Sequence, residues 1–179
     1  MKLSEIALSN YVRALVYGTS STGKTCLAAG FPTPIKYMDF DNKTSSAARH
    51  YAGDTERLQN IDVTEYAAMP RETRMKQFTA DLNEISKLQH AKKPMPFKTL
   101  VIDSLTTLTG YMLDDYIHVS QRGIKRPLEG VNAMQDYQLL DKHLTQIITG
   151  LLTLDCNVIF IAHMNMEKDE STGSIMCRP

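Results

Sequence analysis

The chain is poor in most of what staples, anchors or steers a protein from outside its own core. It has three cysteines, Cys26, Cys156 and Cys177, far apart and without a C-x-x-C spacing. That argues against a disulfide framework and for a reducing, intracellular setting. Cys156, His163 and Cys177 match the spacing of no common zinc module, so the cysteines read as two small hydrophobes and a surface thiol. Charge of one sign is lacking too: 20 Lys and Arg balance 20 Asp and Glu. No overall field draws nucleic acid, and any such contact needs a local basic patch. No apolar run approaches the length of a membrane span. The segment Met1–Gly18 breaks its apolar residues with Glu5, Asn10 and Arg13 and has no signal-peptide core. The expectation is a soluble cytoplasmic protein. Without repeats or low-complexity linkers, its 179 residues suffice for one domain, spanning 1–179.

What is present alternates between two periods. Arg13–Tyr17 is an apolar run ending at a glycine loop, which predicts a buried parallel strand. Thr25–Gly30 predicts a short helix closed by Gly30 and Pro32. Ile35–Phe40 predicts a second strand, and Leu58–Val63 a weaker third. Met75, Phe78, Leu82, Ile85 and Leu88 carry helical spacing through Arg71–Ala91. Phe97–Asp103 and Asn157–Ala162 predict buried strands. Leu105–Val119 and Asn132–Leu154 predict helices, with Gln121–Gly130 a glycine-punctuated loop between them. Met164–Pro179 reads as an unpaired loop or a hairpin. Strands alternating with helices predict an α/β fold with a mostly parallel sheet.

The chemistry concentrates at strand ends. Gly18-Thr19-Ser20-Ser21-Thr22-Gly23-Lys24-Thr25 matches G-x-x-x-x-G-K-[ST] at every fixed position. Glycines let backbone N–H groups curl around phosphate oxygens, and the following helix adds the positive end of its dipole. Lys24 then reaches the β- and γ-phosphates and Thr25 coordinates Mg²⁺, so the implied ligand is MgATP. Leu100–Asp103 is an apolar strand ending in an acid. A phosphate-loop sheet sets such a strand beside the loop, with its carboxylate at the magnesium shell, although Asp103 also stands where it would cap the next helix. Asp39 and Asp41 flank the end of the second strand, and either is placed to orient an attacking water. Asp41-Asn42 also suits a plain turn. His163 ends the last strand, where an imidazole reads a γ-phosphate or simply begins a loop. Arg122, Lys125 and Arg126 put three cations in the basic loop, a pattern that follows a phosphodiester backbone or merely faces solvent.

The order of YGTSSTGKT, KYMDFDN, TLVIDSLTTL and NVIFIAHMN resembles the RecA-type P-loop ATPase core, most closely the small phage-encoded Sak-type single-strand annealing proteins. The resemblance spans nearly the whole chain. It implies a RecA-like fold, Asp41 as the water-activating acid where the family usually has Glu, and Asp103 as the magnesium residue. It puts His163 in place of the usual Gln or Asn sensor. Two DNA-lining loops then fall on Gln121–Gly130 and Met164–Pro179, bringing in Arg122, Lys125, Arg126 and Lys168. Rings or filaments of the chain are implied, with a single-strand-binding protein as a further partner. Such a sheet normally continues past the second loop, so the chain is expected to be a short member or to lack its C-terminal part. A trans-acting finger falls on Arg178 only by default. The leading reading is a DNA-stimulated ATPase of phage recombination acting on single-stranded DNA. A small-molecule kinase using the stretch Pro70–Lys93 for its acceptor, and a nucleotide-gated assembly protein with negligible hydrolysis, are the alternatives.

Overall fold

The computed structural model describes residues 10–121, 134–168 and 175–178. Strands β1 (Arg13–Gly18), β2 (Ile35–Asp39), β3 (Ile61–Glu65), β4 (Thr99–Asp103) and β5 (Asn157–His163) form one sheet in the order β1-β5-β4-β2-β3. Every pairing in it is parallel. Parallel neighbours need crossovers, and helices supply them: α1 (Lys24–Ala29), α2 (Thr44–His50), α3 (Thr55–Gln59), α4 (Arg71–His90), α5 (Leu105–Gln121) and α6 (Met134–Leu152). This is the α/β arrangement with a parallel sheet that the alternating periods predict, and it agrees with the RecA-like core that the resemblance implies.

Both faces of the central strands are covered, so β4 and β5 are buried almost throughout, as apolar parallel strands require. The strand predicted as buried over Arg13–Tyr17 is instead an edge strand of the described sheet, with alternate residues exposed. The larger core packs α4, α5 and α6 on one face through Phe78, Ile85, Leu108, Met112 and Leu151. Phe40 stacks on Tyr66 with ring centroids 4.6 Å apart and meets the edge of Phe78 at 5.3 Å. The smaller core joins Ala28 of α1 to Ile35, Tyr37, Val101, Ile159 and Ile161.

Several boundaries move. The strand predicted over Leu58–Val63 begins only at Ile61, because Asp54 accepts the Arg57 N–H at 3.0 Å and caps α3 ahead of it. Neither α2 nor α3 was legible, since each is shorter than two helical turns of pattern. Strand β4 begins at Thr99 rather than Phe97. The segment after His163 contains a hairpin, β6 (Asn165–Lys168) antiparallel to β7 (Ile175–Arg178). Residues 122–130 of the basic loop lie outside the described residues. Among the described residues, no helix is long and apolar enough to cross a membrane.

Candidate nucleotide site

All the predicted strand-end residues within the described part of the sheet converge on its carboxyl edge. The phosphate loop leaves β1 at Gly18 and turns into α1 at Gly23, whose φ of 84° lies in the left-handed region. A side chain there has free space but the wrong backbone, so the glycine is a conformational requirement. Lys24 folds back over the loop, its Nζ donating to the carbonyls of Gly18 at 2.9 Å and Thr19 at 2.6 Å. The amine is thus held at the centre of the loop's curl. Ser20–Cys26, Asn42, Lys43, Ser45, Ser46, Asp103 and His163 line a cavity of about 460 Å³, within the usual range for a small-molecule site.

The sequence reading sets β4 beside the phosphate loop. In the sheet β5 lies between β1 and β4, pairing Gly18 with His163 and Asp103 with Ile161. The side chains still meet: Thr25 Oγ1 donates to Asp103 Oδ2 at 2.8 Å. The alternative that Asp103 caps α5 fails, since Ser104 Oγ accepts the Thr107 N–H at 3.2 Å and does that work. Asp103 is 1% exposed, and Tyr37 Oη donates to the same Oδ2 at 2.6 Å. Tyr37 pairs in register with Val101, so period-two alternation puts it on the face of Asp103, one diagonal step away. Burial pushes the Asp103 carboxyl above its ordinary range. The Tyr37 and Thr25 hydrogen bonds pull against that, and the charges of Asp41 and Asp39 add to it. Burial likewise raises Tyr37, and the Asp103 charge beside it helps keep the phenol protonated.

The two acids of KYMDFDN do different things. Strand β2 ends at Asp39, not Phe40, and the backbone turns through Asn42 at φ 55°. Asp39 is fully buried and accepts four backbone N–H groups: Asp41 at 2.9 Å and Asn42 at 2.8 Å on Oδ1, Lys43 at 3.1 Å and Thr44 at 3.2 Å on Oδ2. Its carboxylate ties the turn together and faces away from chemistry. Asp41 is gripped by side chains instead. Ser104 Oγ at 3.2 Å and Thr107 Oγ1 donate to its Oδ1; His163 Nε2 bonds its Oδ2, and Lys43 Nζ stands 3.3 Å from that oxygen. Burial alone would raise the Asp41 carboxyl; the Thr107 and His163 hydrogen bonds and the Lys43 charge outweigh it and hold it below the usual range. His163 is anchored by its own N–H on Thr106 Oγ1 at 2.9 Å, and the next N–H, of Met164, bonds the Gly18 carbonyl at 3.2 Å.

A phosphate loop, a buried carboxylate on its threonine, and a cavity-lining histidine bonded to the acid Asp41 form a candidate nucleotide site, and a family model described as "AAA domain" matches residues 10–177. The chain belongs to that family. This AAA domain protein carries its phosphate loop on an α/β fold with a parallel five-stranded sheet. It is similar to a RadB recombinase, whose crystal structure aligns at TM-score 0.45 and 15% identity. The alignment covers 92% of this chain and 66% of that one, so the chain spans just under two thirds of that protein's length. A search among curated proteins returns no match.

The AAA domain site pairs a hydroxyl and a carboxylate, hard oxygen donors that suit Mg²⁺. Among the described residues no group of three or more His, Cys, Asp or Glu could cage a metal. The pair therefore fits an ion shared with phosphate oxygens. Cys156 and His163 lie at opposite ends of β5, roughly 23 Å apart at the rise of an extended chain, and burial pushes the Cys156 thiol up to about 11. Sequence reasoning passed over Tyr37, Lys43 and Thr107, and it reached Ser104 only beside Asp103, through the resemblance of VIDS to a magnesium-binding strand. Of the three passed over, only Lys43 left a signal, a cation two residues beyond a candidate acid. Arg122, Lys125 and Arg126 lie outside the described residues, and Lys168 ends β6.

Proposed function

We propose that this protein hydrolyses MgATP and couples the hydrolysis to single-stranded DNA, annealing or pairing strands in phage recombination as a ring or filament. The Thr25–Asp103 contact inside the phosphate-loop cavity carries the reading. Backbone N–H groups of Gly18–Thr25 bind the phosphates, and Lys24 balances the β- and γ-phosphate charge. Thr25 and Asp103 would hold a magnesium ion, which would neutralise charge developing on the phosphates. Asp41 orients the attacking water and accepts its proton. His163 senses the γ-phosphate: it touches Asp41, and β6 starts two residues further on. A shift of the imidazole therefore reaches the hairpin with Lys168 through very little chain. Arg122, Lys125 and Arg126 are the matching DNA contacts of the other loop, and a single-strand-binding protein is a partner in the same reaction.

The assembly reading draws on a specific observation. Asp41 is held by four side chains and its carboxyl is lowered, which weakens it as a base. The kinase reading loses its acceptor region, because α4 sets Phe78 and Ile85 into the core and contributes no residue to the cavity. Phosphate release with and without single-stranded DNA decides among the three. We expect turnover that rises with DNA, is abolished by Lys24→Ala, and falls by about a hundredfold in Asp41→Asn with nucleotide affinity kept. Tight ATP binding with no turnover under any condition would favour assembly. Lys24→Ala turning over at the parent rate would remove the site itself.

A further inference from the structure

Two cations face the nucleotide cavity, and they are held in opposite ways. Lys24 is 8% exposed and its ammonium is enclosed by loop carbonyls. Lys43 has a backbone fixed by the Asp39 carboxylate and a side chain that is 44% exposed. Its Nζ is 3.3 Å from Asp41 Oδ2 and 3.4 Å from His163 Nε2, so it stands beside the directly bonded acid and imidazole assigned to hydrolysis and sensing.

The Lys43–Asp41 pair is unequal. Asp41 keeps Ser104, Thr107 and His163 as donors if Lys43 departs, so its carboxylate is not left bare. The ammonium is a flexible point charge with one long carboxylate contact, half in solvent, where such pairs are worth little. A terminal phosphate entering the cavity offers denser negative charge and three acceptor oxygens. A diphosphate, ending one phosphate short, does not.

Resting on the nucleotide reading above, we infer that Lys43 is a cation supplied in cis that leaves Asp41 for the γ-phosphate, so that the site distinguishes triphosphate from diphosphate. The same movement takes one of the two groups off Oδ2 of Asp41, leaving His163 on it. Triphosphate recognition is thereby linked to the contacts of the acid, without a residue from another subunit.

The test compares dissociation constants of ATPγS and ADP, with Mg²⁺, for the parent chain, Lys43→Met and Lys43→Arg. Methionine keeps the stem's bulk and removes the charge, and circular dichroism verifies the fold. We expect Lys43→Met to weaken ATPγS about tenfold while ADP stays within about twofold, and Lys43→Arg to recover most of the difference. Equal losses for both nucleotides, or none for either, would overturn the assignment and leave Lys43 as the surface partner of Asp41. A parent chain that binds neither nucleotide would instead remove the reading beneath, and this inference with it.

Discussion

Asp39 and Asp41 are separated by one buried phenylalanine and have nothing else in common. Phe40 sits in the aromatic cluster of the larger core, and the chain on either side of it turns to different partners. Asp39 satisfies four backbone N–H groups with two oxygens, so replacing one oxygen by an amide sets N–H against N–H. Asp39→Asn should lower stability by about 2–4 kcal/mol, the scale for buried donors left unmet beside a lost charge. Asp41→Asn keeps Oδ1 for Ser104 and Thr107 and can donate to a neutral His163 ring, so its cost should stay near 1 kcal/mol. Urea unfolding of the two variants ranks them. An Asp41→Asn protein clearly less stable than Asp39→Asn would mean that the structural and chemical roles were exchanged.

At the scale of elements, the site depends on strand ends held in place by contacts remote from it. Helix α6 and strand β1 are far apart in sequence, yet Arg13 Nε donates to the Leu152 carbonyl at 2.6 Å and an Arg13 terminal nitrogen to Leu154 at 3.1 Å. The guanidinium thus satisfies carbonyls at and just past the C-terminal end of α6, where a cation also meets the negative pole of the helix. It couples the strand that launches the phosphate loop to the helix that precedes β5. Arg13→Ala should cost about 1 kcal/mol in urea unfolding, with Arg13→Lys recovering little, because an ammonium lacks the fork that spans two carbonyls. Full recovery by lysine would reduce the contact to simple charge.

For the whole molecule, the five strands carry the candidate site at their carboxyl edge while β1 remains at the rim of the described sheet, with Leu15 and Tyr17 about half exposed. Phosphates bridging the loop, Asp103 and the β2–α2 turn would bind together segments that are otherwise joined mainly through the sheet. Nucleotide with magnesium at about a hundred times its dissociation constant should stabilise the chain by about 2.7 kcal/mol. For a domain of this size that is a rise in Tm of roughly 5–10 °C. Chelating the magnesium should remove most of that gain. Melting curves that coincide with and without MgATP would contradict a nucleotide site formed at this edge.

The phosphate loop was readable from eight residues because backbone geometry dictates it: Gly23 must adopt a left-handed φ, and Lys24 and Thr25 must follow at once. The buried parallel strands were equally legible, since a strand covered on both faces has no polar positions to disguise it, as Leu100–Ile102 and Val158–Ile161 show. Short helices such as Thr44–His50 escaped because seven residues hold too little periodicity. Which acid does what was undecidable along the chain. Asp39 and Asp41 look alike until the turn at Asn42 gives one to the backbone and the other to His163, 122 positions away. Tyr37 was invisible for the same reason, because its hydroxyl means nothing until β2 and β4 lie side by side. Local sequence settles what local backbone sterics and burial require. Pairings between distant side chains arise only when sheet order and register place strand ends within hydrogen-bonding distance.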